Sequence, residues 1–352
     1  MTKRMAANFH TSTSSGSENI NTKDKAMELI LNSYGVSLNR DGGQFVITSA
    51  DGGRQRIPAV GITSIQISRG AQITSDAVML AIEREIELLF MDKGGKPMGR
   101  IWSPRYGSIS TIRKGQINFT YSKDAVEWIK KVIDKKMENE QALMLLFCKT
   151  DISDPDVNKS IQRIEDYRTK VKALKGDIVN DIAPSLRGWE GRAASIYFKT
   201  INGFLPEEMR FNERSQHPAM DVANSFLNYG YGILYGRIEG ALIKAGVDPY
   251  VGVMHRDDYN RPVLVYDVIE LYRIWVDYVV YTLLAQQVVT DEFYSIREDK
   301  SYWLEPLGRR VLIQSLNDYL SETVTIGGNQ RSRLTQITLY AQSLAQKFKK
   351  YE

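Results

Sequence analysis

The chain is poor in the residues that most often carry chemistry: one cysteine and three histidines among 352 residues. A single thiol excludes an internal disulfide and any zinc site built on cysteines. The lone Cys148 follows an apolar stretch and reads as an inert core thiol. His10 lies in a Ser-, Thr- and Asn-rich start, leaving only His217 and His255, too few for a histidine-rich zinc centre. No apolar run reaches the roughly 18 residues that span a bilayer. The first 23 residues lack the apolar core of a secretory signal and read as a disordered tail, so a cytoplasmic protein without membrane contact is expected. No glycine-rich loop opens a helix in the pattern that cradles nucleotide phosphates, which argues against an ATPase or a dehydrogenase.

What is present divides into two patterns. Between residues 34 and 103 short β-branched segments alternate with Asp41-Gly42-Gly43, Asp51-Gly52-Gly53 and Lys93-Gly94-Gly95, all hairpin signals. One helix over 75–84 interrupts them, capped by Thr74 or Ser75. Helical periodicity then takes over at 123–148, 157–179, 185–200, 219–245, 262–289, 307–320 and 331–350. The expectation is an α+β chain of two domains. A disordered tail (1–23) precedes a small, mostly-β N-terminal domain (24–110); a linker (111–123) then leads to a larger all-α C-terminal domain (124–352) that holds the chemistry.

Four residues could form a site. Asp267 and Glu270 stand three apart in the apolar 262–289 segment, a spacing that puts both carboxylates on one helical face. Asp277 falls near the same face. Buried like charges need a compensating cation or a shared proton. His255 precedes them in a loop, and Glu190 sits on an otherwise apolar stripe with Leu186, Trp189, Ala193 and Tyr197. Three carboxylates and one imidazole make a hard donor set suited to Mg²⁺ or Mn²⁺, whose usual chemistry is at phosphodiesters. A second reading stays open: Arg273 or Arg261 pairs with these acids, and Arg187 or Arg192 with Glu190, in purely structural ion pairs.

Two further features are weaker. Asn224 and Asn228 lie one turn apart, where they could bridge backbone or a DNA phosphate, and Gly232, Gly236 and Gly240 form a stripe for close helix packing. From residue 306 to 350 seven basic residues face two acidic ones. Among them Arg309, Arg310, Arg331 and Arg333 are candidate DNA contacts, with a solvated helix face as the alternative.

In its order of features the chain resembles the spacer-acquisition integrases of CRISPR systems: a β-rich domain, then Glu190, the Asn-Tyr-Gly-Tyr segment, His255 and the Asp-x-x-Glu pair. The run from Gly252 to Arg273 carries most of the likeness. The resemblance implies metal ligation by Glu190, His255 and Glu270, with Asp267 a catalytic acid of the same site; many members carry aspartate where this chain has Glu270. It also implies a metal-dependent integrase and endonuclease. Such an enzyme joins foreign DNA fragments to a CRISPR repeat by 3′-hydroxyl transesterification, on double-stranded DNA and alongside a small second adaptation protein. A homodimer assembled through the β domain is part of the same implication. The alternatives are a structure-specific nuclease, a mobile-element integrase, or a non-catalytic DNA-binding scaffold.

Overall fold

The computed structural model describes residues 27–92, 97–101, 109–148, 154–216, 218–255, 261–326 and 329–352. The tail assigned to 1–23, the Lys93-Gly94-Gly95 turn and His217 lie outside them. The chain divides into two compact units, Met1–Tyr106 and Gly107–Glu352.

The first unit holds two four-stranded sheets. β1 (Met27–Leu31), β5 (Ile62–Ser68), β7 (Glu87–Met91) and β8 (Pro97–Ile101) form one, with β1–β5 and β5–β7 parallel and β7–β8 antiparallel. β4 (Arg54–Pro58), β3 (Gln44–Thr48), β2 (Ser37–Asp41) and β6 (Gln72–Ile73) form the other. The β2–β3 and β3–β4 hairpins turn through Gly42 and Gly52, both at positive φ, where a side chain would strain the backbone. The parallel β5–β7 pair requires a crossover, supplied by α1 (Ser75–Glu83). Thr74 caps that helix by accepting from the Ala77 N–H at 3.4 Å. Leu29, Ile65 and Leu88 of one sheet, Leu38, Phe45 and Ile47 of the other, and Ala77 and Leu80 of α1 share a single core. β1 and β6 are not legible in the sequence: β1 directly follows the polar tail, and β6 is two residues long.

The second unit is helical: α2 (Ile109–Thr120), α3 (Lys123–Phe147), α4 (Pro155–Ala173), α5 (Val179–Asn202), α6 (Val222–Lys244), α7 (Val263–Ile269), α8 (Arg273–Ala285), α9 (Pro306–Ser321) and α10 (Arg333–Phe348). Two short ribbons are inserted, β9 (Tyr294–Ile296) with β10 (Tyr302–Leu304) and β11 (Thr323–Ile326) with β12 (Asn329–Ser332). α3 packs on α4 and α5, and α6 packs on α8 and α10. Gly230 permits the α6–α8 approach, since a Cβ there would lie 2.6 Å from Val276 Cγ1.

Three expectations are corrected here. Residues 111–123 are not a linker, because α2 covers most of them and buries Ile112, Gln116 and Phe119 within the helical unit. Its low apolar content hides it from periodicity. The helix expected from 185 begins at Val179, before Pro184, with the Asp181 carboxylate accepting from the N–H groups of Asp177 (2.9 Å) and Ile178 (3.1 Å). The continuous helix over 262–289 is two helices, α7 and α8, interrupted at residues 270–272. Glu270 stands at that interruption.

Candidate metal centre

The site is built from the interruption between α7 and α8, the loop before α7, and one face each of α3 and α5. The loop is fixed first. Gln116 of α2 is fully buried and donates to the carbonyls of Asp248 (2.7 Å) and Val251 (3.1 Å), while the Asp248 N–H donates back at 2.9 Å. Arg187 of α5 holds the Met254 carbonyl at 2.6 Å. Both clamps act within a few residues of His255.

Asp267 completes the loop. It is fully buried and accepts backbone N–H bonds from Val253 (2.7 Å), Met254 (3.1 Å) and His255 (3.2 Å). Its Oδ1 lies 2.6 Å from His255 Nδ1. A carboxylate only accepts, so Nδ1 carries the proton and the lone pair sits on Nε2, the tautomer suited to binding a cation. The imidazole itself is 37% exposed.

Glu270 faces a different set of partners. Its carboxylate pairs with Arg273 Nε at 2.9 Å and with Lys136 Nζ at 2.6 Å. The same Lys136 ammonium pairs with Glu190 from α5. Burial opposes charge on Glu270, yet Arg273, Lys136 and, more weakly, His255 hold its carboxyl below the usual range. Burial likewise opposes charge on Lys136, and Glu270, Glu190 and Glu140 outweigh it, raising its affinity for the proton. Glu140, one turn along α3 from Lys136, is buried without full compensation, and its carboxyl is pushed up to about 8. Asp277 accepts from the hydroxyls of Tyr197 (2.8 Å) and Tyr231. Burial outweighs those bonds and raises its carboxyl as well.

The expected residues therefore divide. Glu190 and Glu270 meet on one cation, and His255 is near enough to influence Glu270. Asp267 has a different set of partners from Glu270: it turns to the His255 loop, where it accepts from three backbone amides. Arg273 pairs with Glu270, as the ion-pair reading anticipates, whereas Arg187 serves the loop and not Glu190. Lys136 and Glu140 are absent from the sequence reading. A lysine and a glutamate one turn apart are an ordinary surface pattern, and only their burial marks them.

Lys136 also tests whether a divalent ion fits. Its ammonium shows that the Glu190–Glu270 pair seats a buried cation, and those hard oxygens with one imidazole nitrogen suit Mg²⁺ or Mn²⁺. Among the described residues no three His, Cys, Asp or Glu groups converge closely enough to hold an ion as they stand. Lys136 Nζ lies between two of the expected ligands, Glu190 and Glu270.

The remaining candidates have other tasks. Arg214 bonds Asn224 and reaches Asn228 Oδ1 at 2.7 Å, while Asn228 Nδ2 donates to the carbonyls of Ser215 (3.1 Å) and Gln216 (2.7 Å). The asparagines thus fasten the segment before α6. Arg333 is committed to the Tyr319 carbonyl at 2.8 Å, to Glu322 at 2.5 Å and to the Tyr319 ring face. It is not a free phosphate contact. Arg309 is half-buried; Arg310 and Arg331 are exposed.

Comparisons with known proteins agree with this architecture. The family model described as CRISPR associated protein Cas1 matches residues 29–318. A CRISPR-associated endonuclease Cas1 of Archaeoglobus fulgidus is 28% identical over 330 residues, 90% of this chain and 95% of the relative. A second, from Francisella tularensis subsp. novicida, is 30% identical over 260 residues, 73% of this chain and 79% of the relative. Among solved structures, a casposase bound to integration product matches with a TM-score of 0.76 and 23% identity, covering 92% of this chain and 91% of the other. A CAS1 protein from Thermotoga maritima matches at 0.75 with 18% identity, covering 91% and 96%. Among the described residues no helix is long and apolar enough to cross a membrane.

Proposed function

Because the chain belongs to the Cas1 family of CRISPR-associated proteins, we propose that it is a metal-dependent DNA integrase and endonuclease that inserts foreign DNA fragments into a CRISPR repeat array. One observation carries the reading. Two carboxylates, Glu190 of α5 and Glu270 at the α7–α8 interruption, grip a single buried cation, and the imidazole that influences Glu270 has its Nδ1 fixed by Asp267. The curated relatives are named endonucleases, which agrees with chemistry at a phosphodiester.

Glu190, His255 and Glu270 would hold Mg²⁺ or Mn²⁺. The chemistry such an ion supplies is Lewis acidity toward a phosphoryl oxygen and stabilisation of an attacking or leaving oxygen. Asp267 keeps the proton on His255 Nδ1 and fixes the ring plane, while Gln116 and Arg187 hold the loop that carries it. Arg273 stays on Glu270 Oε1 and keeps that carboxylate charged and oriented. In the proposed reaction a DNA 3′-hydroxyl replaces one strand at a repeat phosphodiester, so one bond forms as one breaks. Double-stranded DNA is the substrate, with binding that weakens steeply as salt rises. Exposed Arg310 and Arg331 are the candidate phosphate contacts. The same reading makes the protein a cytoplasmic homodimer, joined through its β-rich unit and working with a small second adaptation protein. Structural neighbours include a Cas6-RT-Cas1–Cas2 complex, from which the idea of such a partner gains support.

The deciding experiment is strand transfer of a labelled fragment into a repeat-containing duplex. His255→Ala should lower joining by about 100-fold or more while circular dichroism and oligomeric state stay unchanged. Wild-type joining by that variant would sink the assignment. Shortened strands without joined products, from the wild-type protein, would identify a nuclease instead.

A further inference from the structure

Lys136 is on α3, and none of the metal chemistry proposed above calls for it. Its ammonium nevertheless occupies the place between Glu190 and Glu270 that a divalent ion would need. Two cations cannot share that seat, because their repulsion in a buried site is large. Entry of the ion therefore requires the ammonium to leave. A buried ammonium does not leave without somewhere to go.

The structure supplies a destination. Glu140 lies one turn further along α3, is 5% exposed, and its Oε2 is buried with no hydrogen-bond donor. Lys136, Glu140 and Glu270 line the same cavity of about 30 Å³, room for one water-sized group. A lysine carries its charge on a flexible four-carbon stem, so its ammonium can change partners while the backbone stays in place. Arg273, by contrast, holds Glu270 through the other oxygen, Oε1, and can remain there throughout.

We infer that Lys136 is an exchangeable internal cation, seated between Glu190 and Glu270 until a divalent ion enters and then transferred to Glu140. The inference rests on the metal-site reading of Glu190, His255 and Glu270. In the ion-free state the lysine keeps the buried Glu270 and the half-buried Glu190 from repelling each other. In the loaded state Glu140 gives the displaced charge a partner, while the divalent ion takes over Glu190 and Glu270. Lys136 is thus a positioning residue that sets how tightly the metal binds.

Mn²⁺ binding to the full chain without DNA tests this, read as free Mn²⁺ by electron paramagnetic resonance and as the Mn²⁺-induced change in Tm. Lys136→Met removes the competitor; it should lower the ion-free Tm but bind Mn²⁺ about tenfold more tightly, a change of the size seen for neighbours of metal ligands. Lys136→Arg keeps the charge and grips carboxylates more firmly, so it should weaken Mn²⁺ binding. Glu140→Gln leaves the lysine seated but removes its destination, and should also weaken binding. The last two variants decide the matter if Lys136→Met does not fold. Mn²⁺ affinity equal to wild type in both Lys136→Arg and Glu140→Gln would overturn the exchange while leaving the metal site intact. So would weaker binding in a folded Lys136→Met. Absence of any Mn²⁺ binding by the wild-type protein would overturn the metal site and the exchange together.

Discussion

Asp267 and Glu270 are three residues apart, both buried, and held in opposite ways. Asp267 is surrounded by backbone amides and one imidazole; Glu270 is held by the side chains of Lys136 and Arg273. Backbone donors cannot leave without unfolding the loop, whereas side-chain cations can rotate away. On the proposed function, the difference separates a carboxylate that builds the site from one that works in it. Equal spacing in a sequence thus says little about equal roles; what surrounds each acid decides.

The sharpest way to break this comparison is Asp267→Ala. It strands three backbone N–H groups and frees the His255 ring, so urea unfolding should show a loss of about 3–4 kcal/mol together with loss of strand transfer. Glu270→Gln should cost less, about 1–2 kcal/mol, because Lys136 keeps Glu190 and the amide retains a hydrogen-bonding oxygen. Its larger effect should be abolition of the Mn²⁺-induced Tm shift. If Glu270→Gln proved as destabilising as Asp267→Ala, the division between builder and worker would fail.

The smallest effect concerns pH. The Glu140 carboxyl rises from 4.5 in the unfolded chain to about 8 in the folded one. The folded state therefore binds the proton more tightly, and this contribution to stability is complete below pH 4.5 and declines as pH climbs toward 8. Glu140→Gln should flatten that decline and raise the ion-free Tm at pH 8 relative to wild type, with little change at pH 4.5. An unchanged slope in a Tm series across that range would count against the burial argument for Glu140.

The sequence makes the two-part architecture readable because periodicity changes character after residue 103, from glycine-punctuated alternation to long helical stripes. It also points to Glu190, His255 and Glu270, since acids inside apolar runs and a scarce histidine stand out. It hides α2, whose stretch Ile-Ser-Thr-Ile-Arg-Lys-Gly-Gln is too polar for a clear stripe. It hides the α7–α8 interruption as well, because Leu271 and Tyr272 continue the apolar pattern through it. Lys136 and Glu140 escape for a different reason. Their burial comes from α5 and α8 folding over α3, which is tertiary information that no local pattern contains.

Gln116 has a consequence for the order in which the site can mature. It grips the Asp248–Val251 turn, but the helix that carries it is seated against residues made far later. Phe119 packs on Phe348 at a ring distance of 5.1 Å, and Asn118 donates to the Tyr351 carbonyl, 233 positions away. During synthesis the histidine loop and both acidic helices emerge before that seat exists. The seat of that helix is complete only once residues 348 to 351 have been made, after Glu190, His255, Asp267 and Glu270.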